Sequence, residues 1–197
     1  PLKNWLVTIE KTMSQGAFLA IGRLLPPNKD KLLSMTMDYE YAKDTFVFNS
    51  NIENLYYGHT NNMAVSKGVF ATIGNFQERL RGGDSLLVRK AVKRYGSDCI
   101  VYSNTMCVVH MEVNNIRSYY KKVFIYGRSR QLYKKQEHIR QLSLSEKILI
   151  FQNSKKLSNY SFFESLCCFA ILCVGLGFWN IGKLSAFFNS SSSTVQE

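Results

Sequence analysis

The apolar positions along the chain predict a run of short helices and strands. Leu2, Trp5, Leu6, Ile9 and Met13 recur at helical spacing and predict an amphipathic helix over 2–13. Gln15-Gly16 ends it. Ala17 to Leu25 is apolar apart from Gly22 and Arg23, the pattern of a buried strand in an α/β sheet. Pro26-Pro27-Asn28 stops that strand. Residues 28–56 read as a long connection dotted with Tyr39, Tyr41, Phe46, Phe48 and Tyr56. Two uses fit a connection of that length: a flap over a functional or membrane face, and plain packing onto the core. His59 to Ser66 reads as a strand, followed by a short helix holding Val69-Phe70 and a turn at Gly74-Asn75-Phe76. Cys99 to Tyr102 and Met106 to Met111 read as two short strands.

Between these lies Gly82-Gly83-Asp84, with Leu86, Leu87, Ala91 and Val92 at near-helical spacing behind it. Two glycines beside an acid suggest a backbone that approaches something closely while presenting one carboxylate. Asp84 is expected at a helix N-terminus, where the macrodipole favours its charged form and backbone N–H groups need acceptors. A helix cap and a reactive carboxylate are compatible roles for it. Asn61 and Asn62 bring two side-chain amides to the start of the preceding strand. Such amides commonly satisfy turn backbone.

The ordered set Thr60-Asn61-Asn62-Met63-Ala64, Val69-Phe70, Gly74-Asn75-Phe76 and Gly83-Asp84-Ser85-Leu86 through Arg89 resembles inverting family 2 glycosyltransferases of GT-A type. The likeness is to the second half of their catalytic domain. It covers residues 1–133 by order of elements and is specific from Gly58 to Gly96. It implies an α/β fold, here an incomplete GT-A type, Rossmann-like mixed sheet. It further implies a nucleotide-sugar donor, a lipid-linked or saccharide acceptor and, in the intact family member, a divalent cation (Mg or Mn) whose ligands are not in this chain. By the same likeness Asp84 is the base that takes the acceptor hydroxyl's proton, with Glu78 as runner-up. Family members usually carry two adjacent acids here, whereas Asp84 has Gly83 and Ser85 as neighbours. The register of the motif is therefore open by one residue. Asn61, Asn62, Gly82 and Gly83 are the expected substrate contacts, and Arg128 or Arg130 would pair with the donor diphosphate. A role near the site, or a satisfied place at a strand end, fits His110.

The resemblance places Pro1 just beyond the family's metal-binding Asp-x-Asp motif. The nucleotide-binding front half would then precede this sequence, and the isolated chain is expected to be inactive. Asp38-Tyr39-Glu40 is the nearest approach to a paired-acid motif, and a solvated face explains that spacing more simply. His59, His110 and His138 lack zinc spacing, and no third group completes a Ser-His-Asp or Cys-His arrangement.

Composition adds a membrane. The 197 residues are 46% apolar and 20% charged, which is globular, with a formal net charge of +11. Asn115 to Lys156 holds eleven basic residues against two acids, so most of the surplus lies there. The run Phe162 to Gly182 follows with Glu164 as its one charge, long enough to span a bilayer as a helix. A buried core helix and a hairpin in one leaflet are the alternatives, the latter helped by Gly175 and Gly177. The basic excess on its N-terminal side would put the catalytic part on the cytoplasmic side. Basic residues interleaved with Tyr119, Tyr120, Phe124 and Tyr126 also suit single-stranded nucleic acid. No nucleic-acid fold accompanies them, and the neighbouring apolar run argues for membrane lipid. The Gln-x-x-Arg-Trp motif of processive synthases is absent. The cysteines Cys99, Cys107, Cys167, Cys168 and Cys173 show no C-x-x-C or metal spacing and read as small buried hydrophobes.

The expected organisation is a catalytic part over 1–113, a basic juxtamembrane helical region over 114–160, a transmembrane or membrane-inserted segment over 161–188, and a flexible tail over 189–197. Two function classes stand: a membrane-anchored glycosyltransferase, and a non-catalytic membrane-associated remnant or interaction module.

Overall fold

The computed structural model describes residues 1–133 and 140–190, with the side chains of 189 and 190 left out. His138 and the tail beyond 190 lie outside the described residues. Seven helices and three strands are described, in the order α1 (Trp5–Ser14), β1 (Leu19–Leu25), α2 (Lys31–Asn49), β2 (Met63–Val65), α3 (Lys67–Ile73), α4 (Gly83–Tyr95), β3 (Ile100–Val109), α5 (Ile116–Leu132), α6 (Leu144–Leu157) and α7 (Phe162–Ser190). The class is mixed α/β, as expected.

The sheet has the order β2-β1-β3, with β2 antiparallel and β3 parallel to the central β1. Leu19, Ala20 and Ile21 of β1 are fully buried, as a strand covered on both faces requires. Their core is completed by Val88, Ala91 and Val92 of α4, Val47 of α2 and Val69 of α3. Phe48 stacks between Tyr56 and Tyr102, its ring centroid 5.4 and 5.3 Å from theirs. On α1, Trp5, Ile9 and Met13 are half-buried beside buried Thr12, whereas Leu2 and Leu6 of the expected apolar face are exposed.

Three expectations are corrected. Residues 28–56 are mostly the 19-residue helix α2 and not an open connection. Asp30 caps it, accepting from the backbone N–H of Leu32 at 2.9 Å and of Leu33 at 3.1 Å. The helix hides from a periodicity search because it is covered on several sides. Leu33 and Met37 meet Val113, Met35 meets Cys168 and Ile171, and Val47 faces the main core. Asp38 and Glu40, two positions apart on this helix, point to different faces. Asp38 accepts from the Tyr160 hydroxyl at 2.7 Å, and Glu40 pairs with Lys43.

The two short strands expected over 99–111 are one strand, β3, broken by an irregularity. Gly22 pairs with Ser103, but Arg23 pairs with Cys107, so residues 104–106 are looped out. The strand expected over 59–66 is only Met63–Val65, preceded by a 3₁₀ turn at Thr60–Asn62.

The helices after β3 join the same body. Parts of α2, α6 and α7 meet where Met35, Cys168, Ile171 and Phe151 cluster, and α7 runs alongside α5. Val113, just before α5, is buried against Leu33 and Met37 of α2. All five cysteines are free thiols.

Candidate functional site

A cavity of about 280 Å³ opens between the start of α4, the turn before β2 and one face of α5. Its floor at α4 is built by two glycines with different tasks. Gly82 caps the helix at φ +89°, a left-handed conformation that a side chain resists. A Cβ on Gly83 would meet the backbone oxygen of Gln77 at 2.9 Å. Together they bring Asp84 to the first turn of α4, facing the cavity.

The Asp84 carboxylate is oriented by backbone. Oδ2 accepts from the N–H of Thr60 at 3.1 Å, and Oδ1 from the N–H of Ser85 at 2.7 Å. Oδ1 also accepts from the Ser85 hydroxyl at 3.4 Å, whereas Oδ2, with one donor, retains accepting capacity toward the cavity. Ser85 in turn accepts from the N–H of Gly58 at 3.3 Å, fixing the chain that carries His59 and Thr60.

Across from Asp84 stands a charged group centred on Glu112. One carboxylate oxygen pairs with Arg81, and the other lies 3.3 Å from Lys122 Nζ. Burial alone would raise the Glu112 pKa, but Lys122 and Arg81 outweigh it and hold the carboxyl below its usual range. Burial lowers the pKa of Lys122, with the Glu112 carboxylate pulling the other way. Tyr126, one turn beyond Lys122 on α5, lies under both cations, with Arg81 and Lys122 each 5.8 Å from its ring centre. Burial, then the charge of Asp84, pushes its hydroxyl up to about 12.

Behind the lining lies His110. Nε2 is 2.6 Å from Lys122 Nζ, and Nδ1 is 3.1 Å from the Asn61 amide. Burial, then the neighbouring Lys122 charge, lowers its pKa to about 4, so the ring is neutral near pH 7. A neutral ring has one donor and one acceptor nitrogen, and the Lys122 ammonium can only donate, so Nε2 is the acceptor that faces it. His59 also lines the cavity, and its Nε2 lies 3.3 Å from the buried Asp44 carboxylate, which accepts from the Tyr57 hydroxyl as well.

Of the residues singled out in the sequence, Asp84, Gly82, Gly83 and Asn61 line this cavity together. Asn62 does not, and the substrate role expected for it is corrected. Its Nδ2 donates to the backbone oxygens of Arg23 at 2.9 Å and Met106 at 2.8 Å, and its Oδ1 accepts from the Trp5 indole at 2.8 Å. That amide is buried and fully engaged in holding α1, β1 and β3 together. Glu78 is exposed and lies outside the lining. Arg128 and Arg130 sit on α5 but outside the lining, and Arg128 Nε is buried without a partner.

The cations that do reach the cavity, Arg81 and Lys122, were not singled out in the sequence. Neither were Glu112, Tyr126 and His59 as site residues. Two signals were available: Arg81 directly precedes the Gly82-Gly83-Asp84 motif, and Lys122 and Tyr126 are four apart on a helix, hence on one face.

The arrangement places a carboxylate and two cations on the lining of one open cavity. It can accept a proton from a hydroxyl and hold anionic or hydroxyl-rich groups. It does not fit the divalent cation implied by the resemblance. Asp84 accepts from backbone N–H groups, Glu112 is held by Arg81 and Lys122, and no group of three or more His, Cys, Asp or Glu among the described residues is placed to hold a metal ion. No protein-family model, no curated protein and no solved structure matches this chain.

Proposed function

We propose that this chain forms the acceptor side of a sugar-transfer site of the inverting, GT-A type, family 2 kind. A nucleotide-sugar donor would supply the sugar, and a lipid-linked or saccharide acceptor would supply the hydroxyl. Asp84 is the base: it takes the hydroxyl proton as the acceptor oxygen displaces the nucleotide from the anomeric carbon. The observation that carries this reading is the Asp84 carboxylate, held at the first turn of α4 on the lining of an open cavity, with accepting capacity left on Oδ2. Arg81 and Lys122 on the facing wall would steady the acceptor or the departing phosphate. Asn61, tied to His110, would offer its amide to a sugar hydroxyl. The long apolar helix α7 supports a membrane-borne acceptor, with the basic surplus toward an anionic cytoplasmic leaflet.

The competing reading, a non-catalytic membrane-associated module, draws on the same α7 and on the internal pairing of Glu112 with both cations. The deciding experiment uses a protein carrying this segment together with a nucleotide-binding half, offered a panel of nucleotide sugars with lipid-linked and saccharide acceptors. Asp84→Asn keeps a capping side chain but removes the base, so transfer should fall at least ~100-fold with the fold intact. Undiminished transfer by that variant rules out Asp84 as base. No transfer by the unaltered protein across the panel favours the non-catalytic module.

A further inference from the structure

We propose that α7 does not cross a bilayer but lies flat in one leaflet, its outward face in lipid and its inward face on the domain. This does not rest on the sugar-transfer reading. By length and composition alone Phe162–Phe188 is able to span, with a mean hydropathy of 1.9, yet only 22% of its most apolar window is buried.

The buried positions form one narrow stripe of mostly small residues: Ser165, Cys168, Ile171, Gly175, Gly182 and Ala186. Their spacing of three, four and seven residues marks a single helix face. The C-terminal part of that stripe meets α5 at backbone contact. A Cβ on Gly182 would lie 2.1 Å from the Phe124 carbonyl oxygen, and one on Gly127 would lie 2.1 Å from that of Trp179. Gly175 meets Tyr119, earlier on α5, so the two helices run side by side in the same direction.

This contact decides the orientation. The stretch of α5 held against α7 carries Lys121, Lys122 and Arg128. Lys122 is a wall of the cavity, bonded to Glu112 and His110. A spanning α7 would draw these cations and the polar cavity into hydrocarbon, which strongly disfavours ionised side chains. An α7 lying in the interface keeps them in water. Its remaining surface still needs an apolar medium, because Leu166, Phe169, Val174, Leu176, Ile181 and Leu184 are all exposed.

Charge complementarity names that medium as anionic lipid. Lys155 and Lys156 are exposed at the end of α6, beside exposed Leu157, Phe162 and Phe163. The one acid of α7, Glu164, is paired with Lys31 at 2.5 Å. The approach to the apolar face is therefore cationic, as an interfacial helix on an anionic leaflet requires.

The test adds the 197-residue chain, with a C-terminal epitope tag, to preformed phosphatidylglycerol–phosphatidylcholine vesicles. It should float with them, and external protease should still remove the tag. A protected tag means a spanning helix and overturns the proposal. Leu176→Glu with Ile181→Glu should cut the bound fraction at least about tenfold while circular dichroism stays unchanged. Lys155→Ala with Lys156→Ala, on exposed positions that leave the fold intact, should weaken binding to anionic vesicles and flatten its salt dependence. Failure of the unaltered chain to float, with sedimentation as a dimer, would assign the face to a second copy and overturn the proposal.

Discussion

The Trp5 indole donates to Asn62 Oδ1 at 2.8 Å, tying the first helix to an amide that also bridges β1 and β3. Both amide hydrogens of Asn62 are taken by backbone carbonyls of residues far apart in sequence. Asn62→Ala should therefore destabilise the fold by about 2–4 kcal/mol, since it strands three buried or part-buried polar groups at once. Trp5→Phe removes one donor and should cost about 1 kcal/mol for the hydrogen bond. Urea unfolding of the two variants measures the ratio, and equal effects would show that the amide's backbone bonds contribute nothing.

The α5–α7 crossing has no room for a methyl group. Gly127→Ala should cost about 1–3 kcal/mol, because its Cβ would collide with the Trp179 carbonyl and force the helices apart. Gly68→Ala is the matched control. Nothing lies within 4 Å of a Cβ there, and the residue sits inside α3, so the change should stabilise by about 0.5–1 kcal/mol. Melting temperatures of the pair should move in opposite directions.

His110 predicts a pH dependence of stability. Its pKa is about 4 in the fold against an ordinary value of 6.5, so the unfolded chain takes up the proton first. Its contribution to stability is complete above pH 6.5, declines as pH falls toward 4, and is constant below that. Glu112, with its depressed pKa, acts below pH 4.5 and leaves the interval from 7 to 5 to the histidine. Over that interval His110→Gln should flatten the pH profile of the melting temperature. An unchanged slope would mean that the ring titrates normally in the fold.

The same histidine reports on its charged neighbours. Lys122→Met removes the cation beside Nε2 and should raise the His110 pKa toward 6.5, as followed by NMR of the imidazole. Glu112→Gln removes a favourable anion and should lower it further. Opposite shifts are the signature, since a merely structural disturbance would move both in one direction.

Much of the fold was legible wherever burial left a pattern in neighbouring residues, as a continuous apolar run or a single helix stripe. The strand at Leu19–Leu25 showed as a continuous apolar run, and α4 as Leu87, Ala91 and Val92 behind two glycines. The same local grammar placed Asp84 at a helix start, because left-handed Gly82 and a following acid carry that signal in three consecutive residues. It also marked Phe162–Gly182 as a long apolar helix. α2 escaped notice because helices and sheet cover several of its sides and leave no single stripe.

Contacts between distant residues decided the rest. Asn61 and Asn62 are chemically identical neighbours, yet one faces a cavity and the other disappears into backbone bonds with Arg23 and Met106. Only the approach of β1 and β3 separates them. Arg81, Glu112 and Lys122 come from three segments, and no spacing rule links a loop, the turn after β3 and a helix face. The length of α7 fixed that it is able to cross a membrane. Whether it does depends on the cations of α5 held against it, and close backbone contact at Gly127 and Gly182 put them there.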